Sequence, residues 1–140
     1  MIPETDLFAT AFFLADHAVV ENGKVYVNGG FWNQMHFTQF PATTSFSIVG
    51  VINVPWMVQE QPHTFRVAFT DSDGHSVNND FGGEFTINRP ADAEIGQPFL
   101  MPIAATANGF TFPEPGQYSA GFFVDDEELA RWVFRVNPRG

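Results

Sequence analysis

Alternation of apolar and polar positions runs through most of the chain. In "TTSFSIVGVINV", Phe46, Ile48, Ile52 and Val54 share one parity, while Thr43, Ser45 and Ser47 take the other. "HTFRVAFT" sets Phe65, Val67 and Phe69 against Thr64, Arg66 and Thr70, and "ELARWVFRV" sets Ala130, Trp132, Phe134 and Val136 against Arg131 and Arg135. A period of two marks strands with one buried face. The pattern predicts strands at 7–20, 24–31, 35–40, 43–54, 63–71, 82–88, 97–106, 116–124 and 128–137. Reading the second and third as one bent strand gives about eight. No stretch of ten residues keeps a helical period; the best helical candidate is one turn at 56–61, after Pro55.

Turn residues punctuate these strands. Asn22-Gly23 is the dipeptide that tolerates positive φ at both centres of a tight hairpin. "DSDG" at 71–74 and "PEPG" at 113–116 are turn sequences. The loosest region is 71–95, where "NNDFGG" and "NRPADAEIG" read as long surface loops. Short strands with frequent turns predict an all-β fold, an antiparallel β-sandwich or jelly-roll-like domain over residues 1–140.

Folding "ADHAVVENGKVYVNGG" at its Asn-Gly pairs Glu21 with Lys24, Val20 with Val25 and Ala18 with Val27. Continued, the ladder sets Asp16 opposite Gly29. Strict alternation places Asp16 on the apolar face with Ala18 and Val20, where an unpaired charge is costly. The expectation is a structural anchor, with Asp16 accepting N–H groups freed by a bend at Gly29 and Gly30.

Composition narrows the chemistry. The chain has 140 residues, 44% hydrophobic and 17 of them Phe, enough for a substantial core. Its net charge of −10 repels phosphate backbones and anionic membranes, so neither nucleic acid nor membrane is expected as a partner. There is no Cys, which excludes thiolate and disulfide chemistry. The opening "MIPETDLFATAFFLADH" has neither a basic leader nor a long apolar run, which predicts a cytoplasmic location.

The candidate site residues are few. Asp71 and Asp73 form one acidic tip, and Asp125 and Asp126 belong to another; together at one end of a sandwich they could hold Ca²⁺. "DSDG" lacks the remaining ligands of a calcium loop, so no metal or other cofactor is expected. His17, His36, His63 and His75 form no metal-binding pair, with His63 and His75 expected to be exposed. No serine sits in a nucleophile elbow, and the Gly-rich "NGGFW" and "FGGEF" lead into no helix. The chain is therefore not expected to be an enzyme. Phe12-Phe13 and Phe122-Phe123 each place one ring away from the core-facing set, making these four candidate interface residues. Trp32 and Trp56, near turns, could offer sugar-stacking platforms.

Three segments, "ADHAVVENGKVYVNGGFW", "VPWMVQEQPHTFRVAFTDSDG" and "PGQYSAGFFVDDEELARWVFRV", resemble a family of small uncharacterised bacterial all-β proteins, a domain of unknown function. The shared features are an Ala-Asp-aromatic-Ala hairpin, a Pro-His strand ending in Asp-x-Asp-Gly, and a Pro-Gly-x-Tyr hairpin. His17 stands in place of the aromatic ring, and Asp126 in place of a turn glycine. The resemblance implies a fold and no activity.

The functional expectation is a non-enzymatic binding or assembly module acting through protein–protein contacts, with another protein or as a homo-oligomer. The alternatives are a structural component of a phage or other particle, and a Ca-dependent or carbohydrate-binding module.

Overall fold

The computed structural model describes residues 6–58, 61–89 and 91–139. Nine strands follow one another: β1 (Phe8–Glu21), β2 (Lys24–Gly30), β3 (Gln34–Phe37), β4 (Ala42–Val54), β5 (Pro62–Asp71), β6 (Phe81–Thr86), β7 (Phe99–Phe112), β8 (Gly116–Val124) and β9 (Glu127–Pro138). They form two sheets, ordered β2-β1-β4-β7 and β3-β9-β8-β5-β6.

The alternating positions become the core between the sheets. Phe46, Ile48, Ile52 and Val54 meet Val67, Phe69, Phe134 and Val136 there, all at most 3% exposed. Tyr118 enters this core from β8, and its hydroxyl donates to the Glu114 carbonyl at 2.5 Å, tying the "PEPG" turn to the strand. Burial is the main influence raising the Tyr118 phenol above its usual range.

The structure corrects the expected strands in four places. β2 and β3 are not one bent strand: Phe31, at φ 66°, turns the chain between them, and they join different sheets. The fold is not wholly antiparallel, because β3 pairs with β9 in parallel, from Gln34↔Arg135 to Phe37↔Pro138. β7 runs past the expected end at 106 to Phe112, because Asn108-Gly109 is a bulge opposite Ser45. Gly109 has φ 61°, and its N–H donates to the Ser45 hydroxyl at 3.1 Å. β6 follows the expected strand at 82–88 but begins at Phe81, so Phe81, Gly82 and Gly83 of "NNDFGG", read as loop, belong to the strand.

At 56–61 the described part is a tight turn, with Val58 N–H donating to Pro55 O at 3.1 Å. Residues 59 and 60 of that expectation lie outside the described residues.

Candidate functional site

Asn22 and Gly23, at φ 53° and 75°, close the β1–β2 hairpin with the expected register of Glu21↔Lys24, Val20↔Val25 and Ala18↔Val27. The β1–β4 ladder ends at Ala15↔Ser47, after which the Ala18 N–H donates to the Ser47 hydroxyl at 3.1 Å. Beyond that point β1 pairs with β2 alone, and β2 is the outer strand of its sheet. The result is a two-stranded arm. Val19 and Tyr26 stand opposite each other on it, 44% and 50% exposed, and Val20 and Val27 are also exposed.

Asp16 sits at the base of this arm and is not the buried anchor that alternation predicts. Phe12 and Leu14 join the main core, whereas Phe13, Ala15 and Ala18 join a second cluster. The parity therefore slips between Ala15 and Ala18, and Asp16 is turned to the surface. No hydrogen bond links its carboxylate to the Gly29 or Gly30 N–H among the described residues. The two residues still depend on each other sterically. Gly29 has φ 64°, and a Cβ there would lie 2.3 Å from the Asp16 Oδ2. A Cβ on Gly30 would lie 2.7 Å from Val27 and 3.2 Å from the Phe13 ring.

The four candidate interface phenylalanines are covered by the chain itself. Phe12, Phe13 and Phe122 are buried, and Phe123 is half-buried. Phe12 stacks on Phe122 inside the core. Phe13, on the other face of its sheet, is covered by Phe31 at 4.0 Å between ring centroids. Arg66 lies over the Phe123 ring at 4.1 Å and pairs with Asp80 at 2.8 Å. The large exposed apolar groups lie elsewhere, and the arm holds four of them.

The two acidic tips do not meet. β5 pairs with β8 from Phe65↔Val124 to Asp71↔Tyr118, so the Asp71 turn and the Asp125–Asp126 turn lie at opposite ends of β5. Asp71 Oδ1 accepts the N–H groups of Asp73 and His75, both at 2.9 Å. The His75 N–H is the main reason its carboxyl lies below the usual range. The carboxylates of Asp71 and Asp73 and the His75 ring lie within 4.8 Å of one another.

Asp125 and Asp126, at φ 50° and 66°, form the two-residue turn between β8 and β9 without a glycine. Asp125 is held from both sides. Its Oδ2 lies 2.6 Å from His63 Nδ1, and its Oδ1 accepts the Thr64 N–H at 3.0 Å. Burial pushes the Asp125 carboxyl up, but these hydrogen bonds outweigh it and leave it below the usual range. His63 is 7% exposed, not exposed as expected, and its ring stacks on Phe85 at 5.6 Å. With Nδ1–H given to Asp125, Nε2 remains, buried and without a partner among the described residues. His63 and Asp125 border a pocket of about 280 Å³, together with Asp6, Gln61 and Glu127. No sequence motif joins residues 62 positions apart, so pattern reading missed this pair.

A wider groove of about 400 Å³ is lined by Asp16, Trp32, Gln34, His36 and Arg139. Trp32 is half-buried, edge-on to Phe46, and its Nε1 is buried without a partner among the described residues. Trp56 is no open platform, because Arg89 lies over its ring at 4.8 Å.

Residues 10–137 match a family described as a family of unknown function, DUF6941. No curated protein matches the chain. Among solved structures, the alkylpurine DNA glycosylase AlkC of Pseudomonas fluorescens, bound to DNA containing an abasic site analog, is similar at 13% identity and a TM-score of 0.48. That similarity covers 90% of this chain but only 30% of the glycosylase chain. An immunoglobulin-like protein from Pseudomonas aeruginosa is similar at 14% identity and a TM-score of 0.42, over 95% of this chain and 98% of its own.

Proposed function

The chain belongs to this family of unknown function, and we propose that it is a non-enzymatic assembly module that pairs with a second copy of itself through the β1–β2 arm. The observation that carries the reading is the exposure of Val19, Val20, Tyr26 and Val27 on a hairpin whose outer strand, among the described residues, pairs with β1 alone. An outer strand offers a row of N–H and C=O groups to another strand, and natural proteins block such edges with proline, charge or cover. From Val25 to Gly30, β2 has neither proline nor charge. The −10 charge of the chain disfavours self-association at long range, but this edge is locally neutral. Antiparallel pairing of a strand with its own copy is twofold symmetric, the commonest symmetry of soluble oligomers. Rings or larger particles, as in a structural component of a virion, extend the same reading. The proposed location is cytoplasmic; among the described residues no helix is long and apolar enough to cross a membrane.

Tyr26→Lys and Val19→Lys test this. Both side chains are exposed, so the monomer should accept a charge that a twofold contact would set against its own copy. Sedimentation velocity should show the wild type associating and the double variant not. Identical sedimentation of the two proteins would remove the arm from the account.

One observation favours carbohydrate binding as a second reading. The groove beside Asp16 combines a carboxylate, an amide, a guanidinium and the unpartnered Trp32 Nε1. A sugar hydroxyl could accept from Trp32 while donating to Asp16. Tryptophan fluorescence titrated with a panel of mono- and disaccharides tests it; no change with any of them would end this reading.

A further inference from the structure

The pocket beside His63 lies apart from the β1–β2 arm and takes no part in self-pairing. The described groups that line it accept hydrogen bonds far more than they donate. Asp6, Asp125 and Glu127 contribute carboxylates, and neither Lys nor Arg lines it among the described residues. His63 is more than nine-tenths buried in its wall, with Nδ1 engaged by Asp125 and Nε2 without a partner among the described residues. In the neutral ring this leaves a lone pair at Nε2. A buried acceptor without a donor is costly, and native proteins rarely leave one unmet. Leu7, Val58 and Leu129 add an apolar wall.

A ligand for this site must donate hydrogen bonds, carry positive charge and present a short apolar stem. We propose that the pocket binds an alkylammonium group. The stem lies against the leucines, as lysine stems lie on apolar surfaces, and the ammonium meets the carboxylates and Nε2. A free amine and the lysine side chain of a polypeptide share this chemistry.

The experiment is a titration of the isotopically labelled full chain, following the His63 ring nitrogens by NMR. The probes are n-butylamine, n-butanol as the uncharged isostere, and a blocked Gly-Lys-Gly peptide. Butylamine should move the His63 Nε2 resonance saturably at millimolar concentrations, and butanol should not. If the peptide saturates at lower concentration than butylamine, the source is a lysine side chain; equal or weaker peptide binding assigns a free amine. Asp6→Asn and Glu127→Gln, both at exposed positions, should each weaken binding about threefold. His63 resonances that ignore both amines, that respond equally to butanol, or that respond unchanged in the two variants would overturn the proposal. The readout is local to His63, so it succeeds or fails independently of whether the arm self-associates.

Discussion

Phe12 and Phe122 stack on each other across the two sheets, with ring centroids 5.1 Å apart and planes 12° from parallel. They are the inner members of the two Phe-Phe pairs. Gly50 makes room for the contact, since a Cβ there would lie 2.9 Å from the Phe122 ring. The outer members are covered by the chain's own Phe31 and Arg66. Neighbours in sequence should therefore differ in cost. Phe122→Ala removes a core ring and should destabilise by about 3–5 kcal/mol. Phe123→Ala removes a half-buried ring and a cation–π contact, and should cost about 1 kcal/mol. Urea midpoints of the two variants check this; equal losses would contradict the assignment of faces.

Gly29 should be more sensitive than the Asp16 opposite it. Asp16→Ala removes an exposed side chain that has no hydrogen bond among the described residues, and should change stability by less than about 0.5 kcal/mol. Gly29→Ala places a Cβ in the left-handed region, at about 1–2 kcal/mol, and against the Asp16 carboxylate as well. The double variant should recover the steric part and keep the backbone part. A larger loss from Asp16→Ala than from Gly29→Ala in denaturant melts would restore the buried-anchor reading.

Asp126 occupies the second position of its turn at φ 66°. Asp126→Gly removes the Cβ penalty of that conformation, and should stabilise by about 0.5–1 kcal/mol after the entropy that glycine adds to the unfolded chain. The Tm should rise. A fall would mean that the Asp126 side chain makes a contribution which its exposure does not suggest.

Acid should weaken the Asp125 contact. Its carboxyl is depressed in the folded protein, chiefly by the His63 and Thr64 hydrogen bonds working against burial. A depressed carboxyl contributes stability that is present above its unfolded pKa, about 3.9. That stability is lost as pH falls through the lower folded value. Asp71 and Glu128 are depressed in the same direction. The gap in urea midpoint between wild type and Asp125→Asn should hold from neutral pH to about 4 and close below it. A gap independent of pH would show that the Asp125 charge does not matter.

The sequence disclosed elements whose information is local. The parity of Phe46 to Val54 and of Ala130 to Val136 named the core-facing sides of β4 and β9, and Asn22-Gly23 set the hairpin register. What it hid depends on distant partners. The parallel pairing of β3 with β9 joins residues about a hundred positions apart, which no local period encodes. The expected end of β7 at 106 falls short because only the Ser45 hydroxyl opposite reveals Asn108-Gly109 as a bulge within the strand. The parity slip at Asp16 follows from where the β4 ladder ends, and His63 is buried because Asp125 from another hairpin holds it. The outward phenylalanines suggested a partner, yet the rings that cover them are the chain's own.

The central claim is self-pairing through the arm, and the most direct test is the molar mass of the purified protein by light scattering at tens of micromolar. The account predicts at least twice the 15.6 kDa of one chain, falling to a single chain in the Val19→Lys/Tyr26→Lys variant. A wild type that stays at 15.6 kDa throughout would contradict it.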